Sequence, residues 1–111
     1  MKNVIEILRK LDGVEDVNYN KDYEEIENII EAYKPEGYTV ENVHHEFQDG
    51  GRWTNIETDV YKIEQNGEVA YFELWREVPA TELQDGMDLS WGFCEVVPKE
   101  VTVIKYVLKN D

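Results

Sequence analysis

The most regular pattern in the chain is a pair of long alternations of apolar and polar residues, separated by Gln65-Asn66-Gly67-Glu68. Asn-Gly is typical of a two-residue hairpin turn, because both central residues of a type I′ turn need a positive φ. In the second run, alternate positions form an apolar set: Ala70, Phe72, Leu74 and Val78. The intervening positions mix aromatic and acidic residues: Val69, Tyr71, Glu73, Trp75 and Glu77. The pattern predicts a central β-hairpin from Trp53 to Val78, with the first set buried and the second partly exposed.

The first arm of this hairpin alternates less cleanly. One parity holds Trp53, Tyr61 and Ile63, and the other holds Ile56 and Val60. A β-bulge or a twist near Thr58-Asp59 would reconcile the two sets. The alternative is that both faces of the strand are partly covered.

Two helices are predicted before the hairpin. Residues 2–11 carry apolar side chains at helical spacing, namely Val4, Ile5, Leu8 and Leu11, with Asn3 as a candidate cap and Asp12-Gly13 as the end. Residues 22–34 form a longer helix, ended by Pro35-Glu36-Gly37, whose apolar stripe consists of Tyr23, Ile26, Ile29, Ile30 and Tyr33. Residues 14–21 are polar and are predicted to be a connection.

Further strands are predicted on both sides of the hairpin. Residues 42–47 precede it, and residues 90–97 and 101–108 follow it. Both faces of the last strand are apolar, which predicts a position inside the sheet. Residues 79–89 are rich in turn residues and are predicted to be mainly loop, with one helical turn at 81–84.

Together these elements predict an α+β fold, in which two N-terminal helices are packed on a mostly antiparallel sheet of four to five strands. The short connections favour a meander, in which strands adjacent in sequence are adjacent in the sheet. The chain has 111 residues and no repeat or low-complexity segment, so residues 1–111 are expected to form a single domain.

Charge adds the first functional information. The formal net charge is −14, and residues 12–31 hold half of it, because eight acids there accompany one base, Lys21. Nucleic acids and anionic membranes repel such a chain, and its natural complement is a basic protein surface. The alternative is that the acids only keep the protein soluble and favour the start of the second helix. On the hairpin, Arg52 and Arg76 are expected to find internal partners among Glu57, Asp59, Glu73 and Glu77.

Neither membrane insertion nor secretion is predicted. The chain has no apolar run of about 18 residues, and its first residues include acids and lack the small-residue cleavage site of a signal peptide. A single cysteine excludes an internal disulfide. Because Cys94 lies in an apolar run, it is predicted to be a small core residue. We expect a cytoplasmic protein.

Residues with catalytic or metal-binding potential do not form a known motif. His44 and His45 are neighbours in a predicted strand, so they point to opposite faces and cannot share a metal ion; one is expected to be at least half-buried and the other solvated. Glutamate pairs such as Glu73 and Glu77 arise by chance among 25 acids and do not identify a glycosidase. We predict no enzymatic activity, no cofactor and no metal, with a metal-dependent enzyme that uses His44 and Glu46 as the alternative.

Four segments carry a resemblance to known proteins: Gly51-Arg52-Trp53-Thr54-Asn55, Val60-Tyr61-Lys62, Pro79-Ala80-Thr81-Glu82-Leu83-Gln84-Asp85-Gly86 and Glu100-Val101-Thr102-Val103-Ile104-Lys105-Tyr106. Over residues 50–107 the chain resembles small uncharacterised proteins encoded by phages and prophages of Gram-positive bacteria. The resemblance implies a phage origin, and hence the host-cell cytoplasm as location, but no catalytic residue. It favours a protein that disables a host defence, including the anti-CRISPR type.

Charge and resemblance together predict a phage-type interaction protein that binds and inhibits a basic, nucleic-acid-handling host protein, in which carboxylates imitate the phosphates of nucleic acid. The candidate partner-binding residues are Asp16, Asp22, Glu24, Glu27 and Glu31, with a second patch of Glu73, Trp75 and Glu77. The alternative is a small structural or accessory module that forms a homodimer through its aromatic face or a sheet edge.

Overall fold

The computed structural model describes residues 3–31, 36–49, 54–79 and 89–109. These residues form two α-helices and five β-strands in the order α1 (Val4–Lys10), β1 (Val14–Val17), α2 (Lys21–Ile30), β2 (Thr39–Asp49), β3 (Thr54–Gln65), β4 (Glu68–Pro79) and β5 (Ser90–Val96). The strands form one sheet in the order β1-β5-β4-β3-β2, and all neighbouring pairs are antiparallel. The α+β fold, the antiparallel sheet and the meander from β2 to β5 are therefore confirmed.

The central hairpin is formed by β3 and β4. Its turn residues have the expected positive φ angles, 52° at Asn66 and 82° at Gly67. Pairing runs without interruption from Gln65 opposite Glu68 to Thr54 opposite Pro79. The bulge predicted near Thr58-Asp59 is therefore wrong, and the structure instead has both faces of β3 partly covered. The register shift lies in β2, between Asn42 and His44.

Residues 14–21 differ from the prediction of a polar connection, because Val14–Val17 form strand β1. This strand pairs with the start of β5, with Val14 opposite Phe93 and Val17 opposite Ser90. Gly13 initiates the pairing: its φ is 87°, and its N–H donates to the carbonyl oxygen of Phe93 at 2.8 Å. β1 has only four residues, two of them acidic, so its sequence has no recognisable strand pattern. The strand forms because its backbone pairs with that of β5.

The predicted last strand is also different. Residues 101–108 are not assigned to a strand and every one of them is exposed. The prediction of a position inside the sheet is therefore wrong for this chain on its own. The helical turn predicted at 81–84, and the residues Tyr33, Arg52 and Trp53, lie outside the described residues.

One buried cluster unites the helices with the sheet. Its members come from α1, α2, β3, β4 and β5: Val4, Ile5, Leu8, Tyr23, Ile26, Ile30, Tyr61, Ile63, Ala70, Phe72, Leu74, Trp91 and Phe93. We call the sheet face that bears Tyr61, Phe72 and Phe93 the core face. The opposite face, which bears Val60, Tyr71 and Trp75, we call the open face. As expected, Ala70, Phe72 and Leu74 are buried, while the alternate residues of β4 are half-buried or exposed. The prediction that Val78 is buried with them is wrong, because Val78 is only half-buried near the end of the strand.

Asparagine caps begin both helices. The Asn3 side chain accepts from the Glu6 N–H at 3.1 Å, and the Asn20 side chain accepts from the N–H groups of Asp22 and Tyr23, both at 3.1 Å. Each cap satisfies backbone donors that the first helical turn leaves without partners. In the described residues α2 ends at Ile30, with Glu31 as its C-cap.

The open face is shaped by a contact between Trp75 and Gly92. These residues lie opposite each other on β4 and β5, and Gly92 is buried. A Cβ at position 92 would lie 2.8 Å from Trp75 Cζ2 and even closer to other atoms of the indole. The indole therefore lies across the glycine backbone, in space that any other residue would fill.

We expect the substitution Gly92→Ala to lower the free energy of unfolding by about 1–3 kcal/mol, because the added methyl group must displace the indole. Urea unfolding measures the change. In a Trp75→Leu background the same substitution should cost clearly less. An equal cost in both backgrounds would show that the indole is not the cause.

Candidate functional site

Helix α2 positions the first set of predicted site residues. Glu24, Glu27 and Glu31 follow one another at intervals of three and four residues, so they share one side of the helix. The buried residues Tyr23 and Ile26 face the core. Glu24 and Glu31 are exposed and Glu27 is half-buried. The helix thus presents a row of carboxylates to solvent, as the sequence predicted.

Two further predicted acids, Asp16 and Asp22, lie near the start of α2. Asp16 is exposed on β1, and its carboxylate accepts from the Asn20 side-chain amide at 2.6 Å and from the Val17 N–H at 2.7 Å. Asn20 in turn caps α2 at Asp22 and Tyr23. The cap therefore links the acidic strand to the acidic helix. We call Asp16, Asp22, Glu24, Glu27 and Glu31 the acidic β1–α2 surface.

The described part of the chain supplies no cation to this surface within salt-bridge distance. Arginine pairs join Arg9 to Glu68 and Glu95, and Arg76 to Glu57, while two further pairs involve histidines of β2. The negative charge of the acidic β1–α2 surface is therefore available to an external partner.

A groove of about 790 Å³ adjoins the acidic β1–α2 surface. Its lining combines apolar residues of both helices with Glu24 and other polar residues: Val4, Ile7, Lys21, Glu24, Glu25, Asn28, Ile29, Glu36 and Tyr38. The Tyr38 hydroxyl donates to the Ile29 carbonyl oxygen at 2.8 Å and closes one end of α2 against the start of β2. The sequence did not predict this groove, because its walls come from segments far apart in the chain.

The second predicted patch lies on the other side of the sheet. Glu73, Trp75 and Glu77 belong to the open face, because they alternate with the buried residues Phe72 and Leu74 along β4. The sheet therefore separates them from the acidic β1–α2 surface. One flat partner surface cannot contact both patches, so the two sets are separate candidate sites.

Carboxylates of this second patch have internal partners. Glu77 accepts from the Ser90 N–H at 3.0 Å and from the Thr54 hydroxyl at 3.1 Å. The hydrogen bond from the Ser90 backbone is the main reason that the pKa of Glu77 is lowered. The Cys94 thiol lies 3.6 Å from a carboxylate oxygen of Glu73. Cys94 is half-buried on the open face, so its prediction as a core residue is wrong.

A polar link beneath α2 was only partly predictable. Arg76 was expected to pair with an acid, and its Nε donates to Glu57 at 3.3 Å. Its Nη1 also donates to the Tyr23 hydroxyl at 2.8 Å, a contact without a signal in the sequence. Burial raises the pKa of Tyr23, so its hydroxyl stays neutral. The link ties the first turn of α2 to the end of the hairpin.

Aromatic contacts reinforce this anchor. Tyr23 stacks on Tyr19 with ring centroids 4.2 Å apart and meets Trp91 edge to face at 5.3 Å. The Trp91 indole N–H donates to the Asn18 carbonyl oxygen at 3.0 Å. The anchor holds the acidic surface in a fixed orientation, which lowers the entropic cost of binding.

The two histidines of β2 point to opposite faces, as expected, but both are exposed, so the prediction of one buried or half-buried ring is wrong. His45 Nδ1 lies 2.6 Å from the buried carboxylate of Asp59, which also accepts from Asn42 at 3.1 Å. His44 lies 3.3 Å from Glu46. Within the described ranges no group of three or more His, Cys, Asp or Glu side chains is arranged to hold a metal ion.

Removal of the Tyr23 hydroxyl tests the anchor. We expect Tyr23→Phe to lower the free energy of unfolding by about 1–3 kcal/mol, because a partly buried Arg76 nitrogen loses its acceptor. Chemical denaturation monitored by tryptophan fluorescence measures the loss. Tyr19→Phe, at a half-exposed position that keeps its ring stack, is the matched control and should change stability little. Similar losses in the two variants would argue against the hydrogen bond.

The lowered pKa of Glu77 predicts a pH dependence of stability. A carboxyl whose folded pKa lies below its ordinary value of 4.5 adds stability above that value and loses it as the pH falls through the folded pKa. Glu77→Gln should therefore be less stable than the wild type at neutral pH, and the difference should shrink in acid. Urea midpoints across this pH range test it against Glu64→Gln, an exposed carboxylate on the neighbouring strand. A constant difference for Glu77→Gln would contradict the prediction.

The described residues do not include a helix long and apolar enough to cross a bilayer. The site thus consists of carboxylates on β1 and α2, an adjoining groove and the aromatic contacts of Tyr23. No family model, curated protein or solved structure matches the chain.

Proposed function

We propose that this protein is a non-catalytic interaction protein of the phage type, which binds a basic surface of a nucleic-acid-handling host protein and inhibits it. The observation that carries the proposal is the acidic β1–α2 surface, in which Glu24, Glu27 and Glu31 share one side of α2, with Asp16 and Asp22 near its start, and none of the five has a described counter-cation. Its complement is a lysine- or arginine-rich surface.

The spacing of the carboxylates supports imitation of a nucleic-acid strand. A helix rises 1.5 Å per residue, so Glu24, Glu27 and Glu31 span about 10 Å along α2. One DNA strand carries a phosphate about every 3.4 Å of helix axis, so the charge density of α2 is lower but of the same order. The basic side chains of a phosphate-binding groove could therefore contact these carboxylates in place of some of the phosphates.

Rigidity is the second supporting feature. The cap at Asn20, the hydrogen bond from Arg76 to Tyr23 and the Tyr23–Trp91 contact fix the start of α2 on the sheet. A partner therefore need not order this surface when it binds. The resemblance to phage and prophage proteins favours a host target in the cytoplasm, and an anti-defence role, including the anti-CRISPR type, fits such a target.

A second candidate function is a small structural or accessory homodimeric module. It is favoured by a different observation, the exposed apolar C-terminal residues 97–109. This candidate does not depend on the acidic β1–α2 surface, so the two functions are separable by substitutions.

Capture from a lysate of the Gram-positive host tests the first candidate. We expect immobilised protein to retain a basic nucleic-acid-binding protein, which added duplex DNA should compete away. Affinity for the captured protein should fall steeply between about 50 and about 500 mM salt, because exposed charges are screened. The triple variant Glu24→Gln/Glu27→Gln/Glu31→Gln should bind roughly tenfold more weakly or worse.

The matched control removes the same number of charges elsewhere. Glu6, Glu64 and Glu100 are exposed and lie outside α2, so Glu6→Gln/Glu64→Gln/Glu100→Gln should keep the affinity of the wild type. A partner that both triple variants retain equally, or whose binding is indifferent to salt and DNA, would refute the proposed function.

A further inference from the structure

The residues that follow β5 are the least expected part of the structure. Residues 97–109, which we call the C-terminal segment, are all exposed in the described chain. Their large apolar side chains include Val101 at 74%, Ile104 at 75%, Tyr106 at 94% and Leu108 at 78% exposure. The radius of gyration is 17.4 Å, compared with about 13 Å for a compact chain of this size. Monomers rarely leave a run of so many large apolar side chains in water, and exposed apolar surface of this kind marks an interaction site.

The sequence of the C-terminal segment is that of a strand. β-Branched and aromatic residues dominate Val101–Leu108, and both alternate sets are largely apolar. Such a pattern fits a strand that has neighbours on its faces and along its edge. Within the described chain, no strand pairs with it. The sheet edge of another molecule would supply the backbone hydrogen-bond partners and the apolar neighbours that this strand pattern requires.

Strand β2 offers such an edge. It is the outermost strand of the sheet, it has 11 residues, and no described strand pairs with its outer side. Charged side chains often protect such edges; β2 carries three acids, Glu41, Glu46 and Asp49, and no lysine or arginine, so a strand that brings cations could still pair with it. Phe47 is exposed at 57%. The edge is therefore open, acidic and partly apolar.

Charge makes the C-terminal segment complementary to β2. The segment contains Lys99, Lys105, Lys109 and Glu100, a net charge of +2, in a protein whose net charge is −14. The rest of the chain therefore carries −16. A net basic, exposed segment would be drawn to an acidic surface, and β2 is an acidic surface of matching length.

One antiparallel register satisfies both charge and packing. When Lys105 lies opposite Glu46, Ile104 lies opposite the exposed Phe47. If the added strand passes the bulge at Val43 as β3 does, Lys109 then lies opposite Glu41. Both lysines thus meet acids on the open face, and Ile104 covers Phe47 on the core face.

Connectivity requires that a different molecule provides the segment. Val96, Tyr71, Lys62 and Glu41 lie in one row across the sheet, so β5 ends beside the start of β2. In the antiparallel register Thr102 would lie at the far end of β2, opposite Asp49, about 30 Å from Val96 across and along the sheet. Six residues reach only about 20 Å. A chain therefore cannot place its own segment there.

We infer that the C-terminal segment of one copy adds as an antiparallel sixth strand to the outer edge of β2 in a second copy, in this register. The exchange buries the apolar residues of the segment and closes the open edge of β2. Reciprocal exchange between two copies gives a closed dimer with two identical contacts.

Sedimentation velocity of the full chain, with a monomer mass of 13.1 kDa, should show a dimer of about 26 kDa. Lys105→Glu and Glu46→Lys should each weaken the dimer roughly tenfold, because each disrupts two symmetric charge pairs. The combined variant Lys105→Glu/Glu46→Lys should regain most of the affinity. Lys99→Glu, which makes the same charge change outside the register, is the control and should dimerise like the wild type.

Disulfide trapping tests the register and the donor. In a Cys94→Ala background, Phe47→Cys together with Ile104→Cys should give covalent dimers on oxidation, since opposite residues of paired strands lie within disulfide reach. Circular dichroism should show an unchanged fold, because both positions are exposed. The inference is overturned by a protein that stays monomeric at all concentrations, by an intramolecular disulfide, or by a dimer that none of the charge variants affects.

Discussion

The in-register pairing of β3 with β4 is the constraint on which the rest of the structure depends. The turn at Asn66-Gly67 sets this register, and twelve consecutive residue pairs extend it. Because side chains alternate between faces, a slip of one residue would move Phe72 and Leu74 to the open face and Glu73 and Trp75 into the core. The correct register places Arg76 opposite Glu57 and within reach of Tyr23. The position of α2 therefore follows from the hairpin.

The acidic surface exists because this anchor can hold it. Carboxylates crowded on β1 and α2 repel one another, which opposes a compact state. Burial of Ile26 and Ile30, together with the contacts of Tyr23, offsets that repulsion. Burial of the apolar face of α2 thus offsets the repulsion between the carboxylates on the same helix. A partner of opposite charge would relieve the repulsion, which is a physical reason for such a surface to bind.

The two proposals concern different sides of the molecule. The acidic β1–α2 surface lies at α2 and the β1 edge, whereas the C-terminal segment would pair along the β2 edge. The two edge strands of the sheet differ in length and charge. β1 is short and carries acids beside α2, whereas β2 is long and lacks lysine and arginine. The start of α2 lies at the β1–β5 end of the sheet, away from β2, so each of two copies paired at β2 would still present that part of its acidic β1–α2 surface.

Sequence alone determined the elements whose local signals agree. The Asn-Gly turn, the alternation in β4 and the apolar stripe of α2 predicted the hairpin, its buried face and the carboxylate row at Glu24, Glu27 and Glu31. Only the tertiary structure decided what depends on contacts between distant residues. Val14–Val17 became a strand because β5 offered backbone partners, and Arg76 found Tyr23 because the register brought α2 above it. The alternation of β4 predicts that Glu73, Trp75 and Glu77 lie on the face opposite Phe72 and Leu74. Only the tertiary structure shows that α2 lies on the Phe72 side, so that these residues and α2 form two separate candidate sites. The C-terminal segment shows the limit most clearly: its sequence is that of a strand, yet a strand forms only where an edge of the right register is within reach, and the described chain offers it none.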